Sequence, residues 1–130
     1  MTRFLVVSMA EIFVPAALNA PLCKLGEGPV YDPHTDTVWW FDILQSKLCE
    51  YQFQSGVSRQ HDLPFPASAL ARVDAHRQLL FTERGLYLRD VATGDLSLHC
   101  EIEADNNLTR SNDARVHPSG AFWLGTMGWQ

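Results

Sequence analysis

Three short stretches of this chain recur at a nearly constant interval, and that interval limits the possible folds more tightly than any other feature. Tyr31-Asp32-Pro33-His34, Val73-Asp74-Ala75-His76 and Val116-His117-Pro118-Ser119 place their second residues 42 and then 43 positions apart. Each is followed by a short apolar run of strand formers: Val38 to Phe41, Leu79 to Thr82 and Phe122 to Gly125. Repeats of roughly 40 to 50 residues made of short strands and turns are the signature of β-propeller blades, each a four-stranded antiparallel sheet. Helical repeats of that length need sustained 3.6-residue periodicity, and none is present.

The pattern predicts the strands in some detail. Ala10 to Val14 reads as a lone strand, followed by a loop interrupted by Pro15 and Pro21. A first blade over 25–66 contains strands at Val38–Asp42 and Lys47–Gln52, with Val57–Leu63 as its outer edge. A second over 67–109 contains strands at Ala69–Val73, Gln78–Thr82, Gly85–Asp90 and Leu96–Cys100, with Ala92–Asp95 as a β-turn. A third begins over 110–130, with Asn112 near its start. The expected architecture is therefore one all-β domain over 1–130: an N-terminal strand and loop (1–20), then about two and a half propeller blades. A propeller closes with typically four to eight blades, so the expectation is an incomplete domain whose open blade edges favour self-association.

Composition narrows the partners. The chain is 46% hydrophobic and 19% charged, ordinary for a globular protein with a core. Its net charge is −5 and it has no Lys/Arg cluster, which argues against nucleic acid and anionic membranes and in favour of cations. Met1 to Met9 superficially resembles a secretory leader, but Glu11 interrupts the apolar stretch and no cleavage site follows, so the start reads as mature chain. Cys23, Cys49 and Cys100 are far apart in sequence, odd in number and lack metal-ligand spacing, which reads as reduced thiols in a cytoplasmic protein.

Counting five residues back from each repeat head gives Glu27, Ala69 and Asn112. Side chains at one repeat position lie at one depth around the axis of a propeller. A carboxylate and a carboxamide there could contribute to an all-oxygen site for Ca²⁺, Mg²⁺ or Mn²⁺, or for Zn²⁺. Arg110, two residues before Asn112, shares its strand face and offers a fork of donors to ligand oxygens. The plainer alternatives are a turn at Glu27-Gly28-Pro29 and an Asx turn at Asn112-Asp113. Asp32-x-His34-x-Asp36 lacks the Gly and terminal Glu of a calcium loop and reads as a hairpin turn. Trp39, Trp40 and Trp123 read as filling between blades.

Leu25-Gly26-Glu27-Gly28-Pro29-Val30-Tyr31-Asp32-Pro33, Val38-Trp39-Trp40-Phe41-Asp42-Ile43, and Arg110-Ser111-Asn112-Asp113 through Pro118 to Met127 resemble the regucalcin/gluconolactonase (senescence marker protein-like) family. The likeness runs through nearly the whole chain after Ala10 but reaches less than half of a member's length. It implies a six-bladed propeller with one divalent cation in the axial channel, hydrolysing sugar-acid lactones. Carried over by position, Glu27 resembles the family's first metal ligand, and Arg110 and Asn112 resemble its substrate-contacting pair; this moves Asn112 from the metal to the lactone. The family's remaining ligands, an Asn and an Asp, and its catalytic carboxylate come from later blades and have no counterpart here, so the chain alone is expected to be inactive. Ala114 stands where the family commonly has Gly, which is tolerated only if the backbone there does not need a positive φ. Two other readings stay open: a non-catalytic calcium-binding or interaction protein on the same scaffold, and a related propeller hydrolase acting on other esters.

Overall fold

Alternating apolar and polar residues, broken by Gly-, Asp- and Pro-containing turns, build an all-β chain. The computed structural model describes residues 12–129, and no helix occurs among them. Four strands, β1 (Gly26–Asp32), β2 (Thr37–Asp42), β3 (Lys47–Gln52) and β4 (Val57–Asp62), form one antiparallel sheet in sequential order. A second sheet repeats this with β5 (Ala67–Arg72), β6 (Arg77–Thr82), β7 (Gly85–Asp90) and β8 (Leu96–Glu101). β9 (Thr109–Val116) and β10 (Phe122–Gly128) form a two-stranded sheet.

The expected strands agree with these to within two or three residues, except at the N-terminus. Part of the strand expected over Ala10–Val14 lies outside the described residues, and Ile12, Phe13 and Val14 carry no strand. They are almost fully exposed, and no sheet edge among the described residues pairs with them. The Asp32-x-His34-x-Asp36 segment is the β1–β2 turn as expected, with the Asp32 carboxylate accepting from the His34 amide at 2.9 Å.

The core lies between the sheets. Trp39, Phe41, Ile43 and Leu48 of the first sheet and its following loop pack against Ala67, Leu70 and Leu80 of the second. Ala69 and Phe81 meet Ala114, Phe122 and Leu124 in the next layer. Phe41, Leu48, Leu80 and Phe81 are fully buried, and each contributes about 1.5–3 kcal/mol of hydrophobic stabilisation.

Polar groups lock the first two sheets in place. The buried Arg89 guanidinium lies 5.7 Å from the Trp39 ring centroid and donates to Gln78 Oε1 at 2.9 Å. Arg72 Nε meets Asp32 Oδ2 at 3.1 Å across the same seam. Glu50, buried on β3, is held below the usual carboxylate range first by His61 and then by Arg59, whose Nη1 lies 2.8 Å away.

The tryptophans divide. Trp39 fills the seam as expected, whereas Trp40 is half-buried on the opposite face and Trp123 is 69% exposed. Trp123 therefore fills no core here: its face of β10 meets no further sheet among the described residues.

Candidate active site

β5 packs between β1 and β9, so these three first strands of successive sheets form the inner layer. Each carries a register shift. On β1 it falls between Glu27, opposite Phe41, and Val30, opposite Trp39. On β5 it falls between Ala67 and Ala69, with Ser68 as the extra residue. On β9 it falls between Ser111 and Ala114, leaving Asn112 and Asp113 across from Gly125. Such bulges release a residue from the ladder and re-aim its side chain.

The shifts also alter the repeat count. Glu27 lies opposite Phe41 and Ala69 opposite the equivalent Phe81, but it is Ala114, not Asn112, that lies opposite Leu124. Asn112 is thus not register-equivalent to Glu27, because Asn112 lies within the bulge of β9 whereas Glu27 is paired ahead of the bulge of β1. The bulge explains the exposure pattern as well: Ser111 and Ala114 are buried, and the two residues between them face out. Ala114 has no positive φ and packs with Ala69 and Phe81, so the departure from Gly is accommodated.

Glu27 is exposed, and its carboxylate makes no hydrogen bond or ion pair with any described residue. The next residue, Gly28, has φ 60° and sits so tightly against β5 that a Cβ would lie 2.0 Å from the Ser68 carbonyl oxygen. Glu27-Gly28-Pro29 is therefore a bulged stretch of β1 and not a turn, and it is fixed to the second sheet by close packing. Asn112 is exposed, and its amide has no partner among the described residues. It is Asp113 that turns back on its own backbone, accepting from the Ala114 amide at 2.9 Å and from Arg115. Arg110 is half-buried, donates through Nη1 to the Ser111 carbonyl at 2.9 Å, and stacks 5.5 Å from the Trp129 ring centroid. Its remaining donors have no partner among the described residues.

Two further residues support this region without any sequence signal. Glu103 accepts from Thr109 Oγ1 at 2.6 Å and Thr126 Oγ1 at 3.2 Å, tying the loop before β9 to β9 itself, which carries Arg110, and to its neighbour β10. Ser68 is 1% exposed, and its hydroxyl finds no protein partner beside Gly28. Next to Arg110 a polar cleft of about 230 Å³ is lined by Glu83, Arg84, Asn106, Asn107, Thr109 and Trp129.

Among the described residues no three His, Cys, Asp or Glu side chains gather closely enough to hold a metal ion. Glu27 can provide one oxygen ligand, and hard cations take about six to eight. These residues alone do not build a cation site.

Residues 25–130 match the family described as SMP-30/Gluconolactonase/LRE-like region. The chain belongs to this family. Among solved structures, regucalcin from Agrobacterium tumefaciens, described as a calcium-binding protein, shares 52% identity and superposes with a TM-score of 0.81 over 82% of this chain and 36% of its own. A luciferin-regenerating enzyme at 21% identity and a TM-score of 0.76 shares the fold. The three sheets of this family member are accordingly part of a β-propeller. A Rhizobium meliloti relative with a provisional sugar-lactone-lactonase name is 43% identical over 89% of this chain and 39% of its own length. A pentonolactonase of Haloferax volcanii is 36% identical over 81% of this chain and 35% of its own. The chain thus spans little more than a third of the relatives it matches.

Proposed function

We propose that this chain carries part of a sugar-lactone-hydrolysing site, in which Arg110 and Asn112 hold the lactone and Glu27 contributes one ligand to a divalent cation. The observation that carries the reading is the state of Glu27 and Asn112: a carboxylate and a carboxamide, both exposed, both without protein partners, each at a bulge of an inner-layer strand. The lactonase names of the relatives supply the substrate class.

Arg110 presents charged donors to a ring carbonyl or hydroxyl oxygen, with its orientation held by the Ser111 carbonyl and the Trp129 ring. Asn112 can donate to one oxygen and accept from one hydroxyl, so the pair fixes a polyol ring in direction as well as place. Neither residue activates water at neutral pH, and no general base is assigned in this chain. A divalent cation would polarise the carbonyl and acidify a water; the calcium-binding description of the Agrobacterium neighbour supports such an ion, with Mg²⁺, Mn²⁺ and Zn²⁺ as the other candidates.

The reading is tested by backbone-amide NMR of the chain during titration with an aldonolactone and, separately, with each cation. The lactone is expected to shift Arg110 and Asn112, and the cation Glu27, with hydrolysis no faster than the spontaneous rate. Arg110→Ala should abolish the lactone response. Lactone-induced shifts confined to other residues would overturn the site assignment, and metal-dependent turnover would overturn the expected inactivity.

A further inference from the structure

The three cysteines, unremarkable in the sequence, are not equivalent in the fold. Cys49 is fully buried at the middle of β3, directly opposite Trp40 on β2 and Gln60 on β4. Residues directly opposite one another project from the same face of a sheet, so Trp40, Cys49 and Gln60 make one row across the first sheet. Cys23 lies over that row. The Trp40 Nε1–H donates to Cys23 Sγ at 3.3 Å, and the Gln60 amide donates to Cys49 Sγ at 3.7 Å.

The segment carrying Cys23 is fastened to the same sheet. Asp42 accepts from the Lys24 amide at 2.7 Å and the Leu25 amide at 3.2 Å, and the Leu25 carbonyl accepts from Ile43 at 3.0 Å. Burial pushes the Cys49 thiol up to about 11; the Gln60 donor opposes this, while Cys23 and Asp42 lie close enough to add to it. Cys100, by contrast, is exposed on β8, in the second sheet.

We propose that Cys23 and Cys49 form a redox pair that closes to a disulfide under peroxide, stapling the segment four residues before Glu27 to the centre of β3. Cys23 is the attacking thiol, since it is half-buried where Cys49 is sealed, and the indole N–H donated to its sulfur holds it over the row. The Cys23 thiolate attacks one peroxide oxygen; an S–O bond forms, the O–O bond breaks, and the departing hydroxide takes up a proton as water. The Cys49 thiolate then attacks the sulfenic sulfur, the S–S bond forms, the S–O bond breaks, and a second water leaves. Two thiols lose two electrons and two protons, and one hydrogen peroxide accepts them. The second step is slow because so little Cys49 is thiolate at neutral pH, so the pair stays open until peroxide is sustained. This inference does not depend on the lactone reading.

The experiment uses the chain with Cys100→Ser to remove the exposed thiol. The folded protein is treated with hydrogen peroxide, then unfolded, alkylated and mapped by mass spectrometry. Expected are a linked Cys23–Cys49 peptide, loss of both alkylatable thiols, a mass lower by two hydrogens, and full reversal by dithiothreitol. Cys49→Ala should leave Cys23 as sulfenic and then sulfinic acid; because that buried change can weaken the fold, Cys23→Ser supplies a second variant, in which Cys49 should remain fully alkylatable after peroxide. Irreversible oxidation of Cys23 with Cys49 still free, linkage only between copies, or equally fast linkage in urea-unfolded chain would each overturn the proposal.

Discussion

Gly28→Ala tests the tight approach of the inner strands. Two effects add at this position. The backbone has φ 60°, the left-handed region, where a Cβ costs about 1–2 kcal/mol. That Cβ would also stand 2.0 Å from the Ser68 carbonyl oxygen and 3.1 Å from its carbon, whereas comfortable contacts are about 3.5 Å. The obstacle is backbone, so β1 and β5 must part by about an ångström, and overpacking of that kind costs about 1–3 kcal/mol. The sum is about 2–5 kcal/mol. Gly120 is the matched control, with φ 88° and nothing within 4 Å of where an alanine methyl would stand, so only the backbone contribution applies there. Urea unfolding followed by tryptophan fluorescence separates them. At an m-value of about 2 kcal/mol per M, Gly28→Ala should lower the midpoint by about 1–2.5 M and Gly120→Ala by about 0.5–1 M. Equal shifts for the two variants would refute the argument that β1–β5 contact, and not φ alone, requires glycine beside Glu27.

Asp42→Ala removes a buried carboxylate that accepts from the amides of Lys24, Leu25 and Gln45; a loss of about 2–4 kcal/mol is expected, with hydrogen exchange accelerated at those three amides. Cys49 stays protonated in the fold up to about 11 against an ordinary value of 9.0. Its stabilising contribution, about 2–3 kcal/mol from a shift of that size, is therefore complete below pH 9 and lost as pH rises towards 11; alkaline unfolding curves should show this loss, and Cys49→Ala should not. The Asp74 carboxyl is held at about 2 by the Arg77 guanidinium and the His76 amide, so the β5–β6 turn keeps its stabilisation above pH 3.8 and loses it as pH falls through 2. NMR titration should show that midpoint, and Arg77→Ala should raise it.

The sheets were readable in the sequence because strand alternation and turn chemistry agree at every repeat: Thr37–Asp42 and Arg77–Thr82 each run apolar between polar ends and lead into a short turn. The bulges were not. One extra residue leaves the hydrophobic pattern on either side intact while shifting the count, which is how Asn112 took the place that register gives to Ala114. The family resemblance singled out Glu27, Arg110 and Asn112 through local motifs, yet the supports of Arg110, Glu103 and Trp129, come from a loop and a strand end whose spacing carries no signal. The Cys23–Cys49 encounter was hidden for a similar reason: it is made by the path of the chain before β1, which Asp42 sets from a strand later in sequence. Trp123 looked like Trp39 in strand context, but an aromatic on a strand fills a core only where a second sheet comes to meet it.

The bulges on β1, β5 and β9 sit on the three adjacent first strands of successive sheets. The exposed side chains beside or within two of these bulges, Glu27 and Asn112, make no hydrogen bond to any described residue, so replacing them, unlike replacing Gly28, leaves hairpin registry and inter-sheet packing undisturbed. Those two exposed positions can thus drift independently of the framework that carries them, without the scaffold having to learn to fold again.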